Sequence, residues 1–558
     1  MAYTIFSGDQ VEKMDLVVIG VIHNVLGPKL DVILVQLLGD KPEHTGVVAG
    51  MSGSPVYFEG KLAGALSLKL GIFTKEAIGG VTPIDEMLDI EKAAAPGPEE
   101  MASHGVANHH AADTGAHWAL PNEMAQPISV GNGDYLVPIE TPLIFSGVYP
   151  QTLAEFSSQL SALGVSAMAG GTAPPTPDDA KLQPGDMIGM DLVRGDLSLS
   201  AGCTVTVVED NRVFGCGHPL FGFGPVSLPL SRGHVVLTLA SSMASTKIMN
   251  TGGVIGTLTQ DRATAVMGQL GPGPSMIPMD VDLITSGAEK SFHFEVIRNA
   301  QLTPLLVAIS AFNGVSANTL ASQESTLQLS GTIDMRGHAP VHLDNLFTPT
   351  DNPMPTGLLL ALDVQSVFSK LYLNPYELPH VDKIHLRVTS TPERRWATID
   401  SAWSEKNEVT PGETVKIKVL LRPYRGDPFI QEIPVTIPEQ TARGTLRLLV
   451  SDAETLDRMV QPFPAQQQGQ LTGLDQLIQI INRERHDDRL YATLLQPTPT
   501  LLIEDKQMPN VPLSEISVLD QRQNLDGARL LGESAAGEWY VDMNQVIAGE
   551  RYLAITVK

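Results

Sequence analysis

Residues 47–61 read VVAGMSGSPVYFEGK and place a cluster of small residues between two apolar, strand-like stretches. Gly50, Ser52, Gly53, Ser54 and Pro55 are ordinary turn residues, so the stretch predicts at least a strand–turn–strand unit. The same small residues also suit a nucleophile loop, in which one serine stands clear of its neighbours beside backbone N–H groups that stabilise a developing oxyanion. The stretch alone does not decide between these two interpretations.

The composition of the whole chain predicts a mainly β protein of several domains. Its 558 residues include 50 glycines and 40 prolines, interspersed with short runs of Val, Ile, Thr and Leu. A net charge of −25 argues against nucleic acid or an anionic membrane surface as the main partner. No apolar run approaches the ~18 residues that a membrane-spanning helix needs.

Changes in composition divide the chain into six regions. We expect alternating strands, a flexible linker, a strand–helix connector, a second long β region, a β-sandwich and an α+β region, at residues 1–93, 94–134, 135–182, 183–335, 336–460 and 461–558 respectively. The portion VTPGETVKIKVLLRPY within the fifth region is similar to an immunoglobulin-like module.

The two cysteines, Cys203 and Cys216, flank a segment that predicts a hairpin turning near Asp210 and Asn211. A disulfide across the hairpin and a pair of free buried thiols both fit this placement. The linker holds four histidines, and because they lack supporting Cys or Asp we expect a solvated segment without a metal; they are His104, His109, His110 and His117.

A nucleophilic serine needs a base, and His218 is the candidate. It lies in the stretch VFGCGHPLFG, where a glycine-rich turn follows a strand and presents the imidazole on a loop. The alternative is a histidine at the end of a hairpin that only bonds to the backbone.

Together the two motifs resemble the SpoIVB peptidase family, the serine peptidases of sporulation signalling. GMSGSPV followed by FEGKLAGALS is similar to the family's nucleophile loop and next strand, and VFGCGHPLFG is similar to its histidine turn. GGVIGTLTQDR, at 252–262, also looks like the histidine-bearing half. The resemblance covers roughly residues 1–90 and 183–330.

The resemblance implies a chymotrypsin-like double β-barrel that cleaves a protein or peptide substrate without a cofactor or metal. Ser52 would be the nucleophile and His218 the general base, and the N–H groups of Gly50 and Ser52 would form the oxyanion hole. It also implies self-cleavage, for which the 94–134 linker is suited, and export to the periplasm or cell surface by a signal missing from this chain.

Two departures from the family stand out. Here the serine precedes the histidine, as in a permuted arrangement of the two halves, and no substrate-binding PDZ domain is recognisable. The third triad member is also open: Asp31 opens a strand similar to the one that carries the acid in many chymotrypsin-like proteases, while Asp40, Asp191 or a Ser–His dyad are the alternatives.

Two other functions remain open. An inactive exported binding or scaffold protein would keep the same fold without catalysis. An esterase acting through the same serine is less expected, since the loop lacks the Gly-x-Ser-x-Gly elbow of α/β-hydrolases.

Overall fold

The computed structural model describes two compact units, one formed by residues 1–279 and 292–316 and the other by residues 280–291 and 317–558. The residues described are 1–71, 76–92, 128–131, 134–163, 165–172, 181–241, 244–319, 324–351, 354–441, 443–460, 473–496, 500–503, 506–508, 529–531 and 534–558. The expected mainly β class is confirmed.

Six strands near the start of the chain close into a ring, called ring 1 here. They are β1 (Ala2–Ile5), β2 (Val11–Gly27), β3 (Leu30–Leu38), β4 (Ser54–Phe58), β5 (Lys61–Leu70) and β6 (Ile78–Pro83). The antiparallel pairings run β4-β1-β2-β3-β6-β5, and β5 pairs back with β4. Each strand therefore has hydrogen-bonded neighbours on both sides, and apolar side chains from all six strands share one core.

Short elements lie within or after ring 1 in the chain, and those after it lead to the next sheet. The helices are α1 (Asp40–Thr45), α2 (Ile84–Leu88), continued by a 3₁₀ turn (Asp89–Lys92), and α3 (Pro150–Ala162). The strands are β7 (Ile128–Gly131), β8 (Asp134–Pro138), β9 (Thr141–Ser146), β10 (Val165–Ala169) and β11 (Gly171–Thr172). The chain therefore passes from ring 1 to the next sheet at residues 138–141, because β8 pairs with β5 whereas β9 pairs with a strand of the second ring.

Six later strands close into a second ring, ring 2. They are β12 (Met187–Gly195), β13 (Ser198–Glu209), β14 (Arg212–Gly215), β15 (Gly224–Leu239), β16 (Thr246–Arg262) and β17 (Ala265–Leu270). The antiparallel pairings run β13-β14-β17-β16-β15-β12, and β12 pairs back with β13. The predicted hairpin is confirmed, since Glu209 pairs with Arg212, and Cys203 and Cys216 form a disulfide.

The strands β18 (Ile277–Ile284) and β19 (Glu289–Val296) and the helix α4 (Thr303–Thr319) follow ring 2 in the chain. Of these elements, residues 280–291 and 317–319 belong to the second unit and the rest to the first. The second unit adds the helices α5 (Thr356–Tyr372), α6 (Ala453–Val460) and α7 (Leu474–Ile481). Among the described residues, no helix combines the length and the apolar character that a membrane crossing requires.

The remaining strands belong to the second unit. They are β20 (Thr326–Met335), β21 (Val341–Phe347), β22 (Val381–Thr391), β23 (Trp396–Ser404), β24 (Glu408–Val409), β25 (Thr414–Pro423), β26 (Phe429–Thr436), β27 (Gly444–Ser451), β28 (Arg489–Gln496), β29 (Thr500–Ile503), β30 (Lys506–Met508), β31 (Arg529–Leu531), β32 (Ser534–Asp542), β33 (Val546–Ala548) and β34 (Glu550–Val557). The sheets β26-β25-β23-β33 and β24-β34-β27-β28-β32 share one apolar core. This two-sheet arrangement starts and ends later than the sandwich predicted at 336–460, because its strands run from residue 396 to residue 557.

The helices α4 and α5 were not predicted, and both lie in regions expected to be β. The α4 segment TPLLVAISAFNGVSANT is apolar on nearly all sides, and Val307, Ala308, Ile309 and Ala311 are fully buried. A helix buried all round shows no amphipathic period, so its sequence is hard to distinguish from a buried strand.

Candidate active site

The serine loop, residues 50–54, is a tight turn that leads into β4. The N–H of Ser54 donates to the Met51 carbonyl at 2.9 Å, and the Ser54 hydroxyl donates to the same oxygen at 2.6 Å. The Met51 side chain is fully buried in the core of ring 1. Ser54 therefore shapes the loop, while Met51 fixes it to ring 1.

Gly53 is required by the close contact of this loop with ring 2. Its φ is +92°, and a Cβ at this position would lie 1.9 Å from the Thr204 carbonyl oxygen and 2.5 Å from the Cys216 nitrogen. No other side chain fits there without moving one of the two backbones.

Three carbonyl groups of the serine loop accept hydrogen bonds from β13 of ring 2. The Thr204 N–H donates to the Ser52 carbonyl at 2.8 Å, and the Thr204 hydroxyl donates to the Gly50 carbonyl at 3.0 Å. The Thr206 hydroxyl donates to the Gly53 carbonyl at 2.8 Å. A loop that belongs to ring 1 is thus positioned by ring 2.

The histidine loop, residues 216–223, belongs to ring 2 and is positioned by ring 1, the reverse of the serine loop. It extends from β14 of ring 2, but the Gly217 carbonyl accepts a hydrogen bond from the Thr82 hydroxyl of ring 1 at 2.8 Å. A Cβ on Gly217 would lie 2.9 Å from the Ser67 Cβ and 3.1 Å from the Ala65 Cβ, so the loop packs directly on β5. The two predicted motifs therefore meet where the rings contact each other.

Asp261, which the sequence analysis did not single out as a site residue, organises the histidine loop. Its carboxylate accepts the N–H groups of Leu220, Phe221 and Gly222 at 2.7, 2.8 and 2.9 Å. Burial raises the pKa of Asp261, and these N–H groups oppose that rise by stabilising the anion. The signal in the sequence is a lone acid within TLTQDR, near the end of a long, mostly uncharged strand.

Ser52 and His218 are both shielded from solvent. Ser52 is 0% exposed and His218 is 5% exposed. Among the described residues, neither the Ser52 Oγ nor the His218 Nε2 has a hydrogen-bond partner, so the two atoms are not hydrogen-bonded to each other in this conformation. A buried polar atom without a partner destabilises the fold by about 1–3 kcal/mol, so two such atoms on contacting loops require an explanation.

The imidazole of His218 is held in one tautomer. Its Nδ1 lies 2.7 Å from the Pro219 carbonyl oxygen, which can only accept, so Nδ1 carries the proton. Burial lowers the pKa of His218, while the Pro219 and Ile139 backbones favour the protonated ring. The lowered pKa favours a neutral ring with a free lone pair on Nε2, which is the form that a general base needs.

The contacts of Asp31 lie elsewhere in ring 1. Its carboxylate is 2.8 Å from the Nδ1 of His23 and accepts the Asn24 N–H at 2.9 Å. The Asn24 N–H and then His23 lower the pKa of Asp31. Among its described contacts none is with His218, whose Nδ1 bonds instead to the Pro219 carbonyl.

The two alternative acids also have other surroundings. Asp40 begins α1 and is exposed. Asp191 is buried on β12, where it accepts the hydroxyls of Ser200 and Ser231 at 2.6 and 3.0 Å. Burial raises the pKa of Asp191 to about 6.

One of the two predicted oxyanion-hole donors is already engaged. The N–H of Gly50 donates to the Glu140 carbonyl at 3.2 Å.

Lys247 is buried next to Gly50. Its aliphatic stem packs within 3.4 Å of the position that a Gly50 Cβ would take, and its Nζ donates to the Thr4 hydroxyl at 2.6 Å. Burial lowers the pKa of Lys247 to about 7.

Among the described residues, no group of three or more His, Cys, Asp and Glu side chains is arranged to hold a metal ion. The four linker histidines, His104, His109, His110 and His117, lie outside the described residues.

No family model, curated protein or solved structure matches this chain.

Proposed function

We propose that the protein is a serine endopeptidase of the SpoIVB type, with rings 1 and 2 as the barrels of a chymotrypsin-like core. The observation that carries the proposal is the pair of buried, unpartnered atoms, Ser52 Oγ and His218 Nε2, on loops that the two rings position reciprocally. A nucleophile and a base that come together once the site opens would account for two polar atoms that a purely structural protein would satisfy.

In the proposed reaction, the Ser52 Oγ attacks a peptide carbonyl carbon and gives its proton to the His218 Nε2. The imidazolium then returns the proton to the leaving amine, and water hydrolyses the acyl ester by the same route. The N–H groups of Gly50 and Ser52 would hold the oxyanion, and the Pro219 carbonyl keeps the ring oriented.

Asp31 stays the predicted third member of a triad. Its described partners are His23 and Asn24, and an unchanged labelling rate in Asp31→Asn would remove it from the triad. A Ser–His pair with a backbone carbonyl as the orienting group would give that result.

We also propose that the protein is exported and that the two-sheet region of the second unit is an immunoglobulin-like accessory module. The buried disulfide between Cys203 and Cys216 supports export, because disulfides persist mainly in oxidising compartments. The shared core of two packed sheets supports the accessory module.

Labelling with a fluorophosphonate probe tests the enzymatic proposal. We expect labelling of the unaltered protein and its loss in Ser52→Ala and His218→Ala. Ser157→Ala on α3 and His234→Ala on β15 are matched controls, since they remove surface residues of the same types. Labelling that survives Ser52→Ala, in a variant with an unchanged circular dichroism spectrum, would contradict the proposal.

The pH dependence gives a second readout. Because burial lowers the pKa of His218, the neutral ring persists to more acidic pH than in a free histidine. The labelling rate should therefore fall only below the usual histidine range near ~6.5. An inflection above that range would argue against His218 as the base.

An inactive binding or scaffold protein on the same fold is the second candidate. It is favoured by the engaged Gly50 N–H and by the complete burial of Ser52, both of which oppose substrate binding in this conformation. Absence of labelling in a folded protein under every condition that exposes Ser52 would favour this candidate.

A further inference from the structure

The chain segment 136–140 lies directly beside the serine loop. β4 pairs with β5 as far as Leu66, which is opposite Ser54. Immediately beyond this point the same side of β5 pairs with the segment, since Leu68 is opposite Pro138 and the Ile139 N–H donates to the Ser67 carbonyl at 2.8 Å. The segment thus continues the line of the serine loop as an extended, antiparallel strand.

The backbone of this segment faces both predicted catalytic functions. The Glu140 carbonyl accepts the Gly50 N–H, the donor assigned to the oxyanion. The Ile139 backbone faces the His218 ring and favours its protonated form. An incoming peptide would need these same positions for its own carbonyl groups.

The side chains of the segment also close the site. Ile139 is 0% exposed and packs in the core that contains Val48 and Met51, next to Ser52. The carboxylate of Glu140 is 2.7 Å from the Nζ of Lys69 on β5, and the Lys69 side chain is only 12% exposed. The segment beside the buried Ser52 is therefore held in place by three interactions: the backbone pairing with β5, the buried Ile139 side chain and the ion pair between Glu140 and Lys69.

We propose that residues 136–140 occupy the substrate strand of the site and keep it closed, and that the substrate is an extended peptide that pairs with Ser67–Leu70 in their place. This inference rests on the proposed function. Addition of a strand to an exposed sheet edge is a common mode of peptide recognition, with affinity from backbone hydrogen bonds. Displacement of the segment frees the Gly50 N–H to bind the oxyanion and, at the same time, frees the edge of β5 to pair with the substrate.

The closure can be measured without catalysis by replacing the serine with a thiol. In the full-length Ser52→Cys protein, the rate of reaction with Ellman's reagent reports how often the site opens. Cys203 and Cys216 do not react under non-reducing conditions, because they form a disulfide. We expect the thiol of this protein to react much more slowly than an exposed cysteine.

Weakening the ion pair should open the site more often. In the Ser52→Cys background we expect Lys69→Ala and Glu140→Gln each to raise the thiol reaction rate ~3–10-fold, because a partly buried ion pair contributes modestly to the closed state. The charge-swapped double variant, Lys69→Glu with Glu140→Lys, should return the rate towards its starting value. Lys41→Ala, which breaks the exposed ion pair with Glu12 in the same ring, should leave the rate unchanged.

The outcomes separate this inference from the proposed function. A thiol that reacts as fast as an exposed cysteine, or Lys69 and Glu140 variants that match Lys41→Ala, would overturn the closure. Faster thiol reaction in those variants, with no fluorophosphonate labelling of the corresponding Ser52 proteins, would support the closure and refute the peptidase. Faster thiol reaction together with faster labelling would support both.

Discussion

Replacing Gly53 with alanine should strongly destabilise the contact between the two rings. The new Cβ would lie 1.9 Å from the Thr204 carbonyl oxygen, whereas real Cβ atoms do not approach closer than 3.0 Å. The loop must therefore retreat by about 1.1 Å, which stretches the three hydrogen bonds it receives from Thr204 and Thr206. Each buried hydrogen bond contributes about 1 kcal/mol, so their loss costs about 3 kcal/mol.

The positive φ of Gly53 adds a further penalty of about 1–2 kcal/mol for any residue with a Cβ. Gly60→Ala is the matched control, because Gly60 has a φ of +79° in the same ring but nothing within 4 Å of its Cβ position. We expect a loss in free energy of unfolding of about 4 kcal/mol for Gly53→Ala against about 1 kcal/mol for Gly60→Ala.

Both losses in unfolding free energy can be measured by amide hydrogen exchange at increasing urea concentration, read from peptides that cover residues 198–217 of the first unit. Exchange in this stretch reports directly on β13 and on the start of the histidine loop. If Gly53→Ala falls within about 1 kcal/mol of Gly60→Ala, the loop does not pack on Thr204 as described, and the reciprocal positioning of the two loops is refuted.

Three further perturbations test the framework around the site. Asp261→Asn should leave backbone N–H groups of the histidine loop without an acceptor, so we expect faster amide exchange after His218 and a slower labelling rate; unchanged exchange would contradict the positioning role. Asp191 has a pKa raised to about 6, so its contribution to stability is greatest below its unfolded pKa and is lost as the pH rises through about 6. As the pH rises from 4 to 7.5, the unfolding free energy of Asp191→Asn should therefore increase by about 2.4 kcal/mol relative to that of the unaltered protein, and a flat difference across that range would refute the raised pKa. Replacing Cys203 and Cys216 together with alanine opens a link between residues 13 positions apart and should cost about 3 kcal/mol in urea unfolding, an effect that vanishes if the comparison is made under reducing conditions.

Some of the candidate site could be predicted from local sequence, and some could not. The glycines beside Ser52 and His218 identified both loops, because glycine is typical of tight turns. In the structure a Cβ on Gly53 or Gly217 would clash with the facing ring. The place of Asp31 at the start of a strand predicts a triad acid, yet the described side-chain partner of its carboxylate is His23 on the adjacent strand. Which side chains face an acid depends on strand register, which a single stretch of sequence does not contain.

The contributions of Asp261 and Glu140 were also not predicted. Asp261 acts through three backbone N–H groups some forty residues earlier in the chain, and Glu140 acts through its carbonyl oxygen. Backbone groups carry no residue-specific signal, so a pattern of side chains does not reveal them.

By itself, the sequence determined the mainly β class, the hairpin between the cysteines and the two glycine-rich loops, because alternation and turn chemistry act over a few residues. The tertiary structure decided that each set of six strands closes into a ring, that the serine and histidine loops meet between the rings, and that residues 136–140 lie across them. These features depend on pairings between residues far apart in the chain, such as Ala2 with Val56 and Ser52 with Thr204. Such contacts form only when distant apolar faces are buried together, so their partners are fixed by packing and not by local preference.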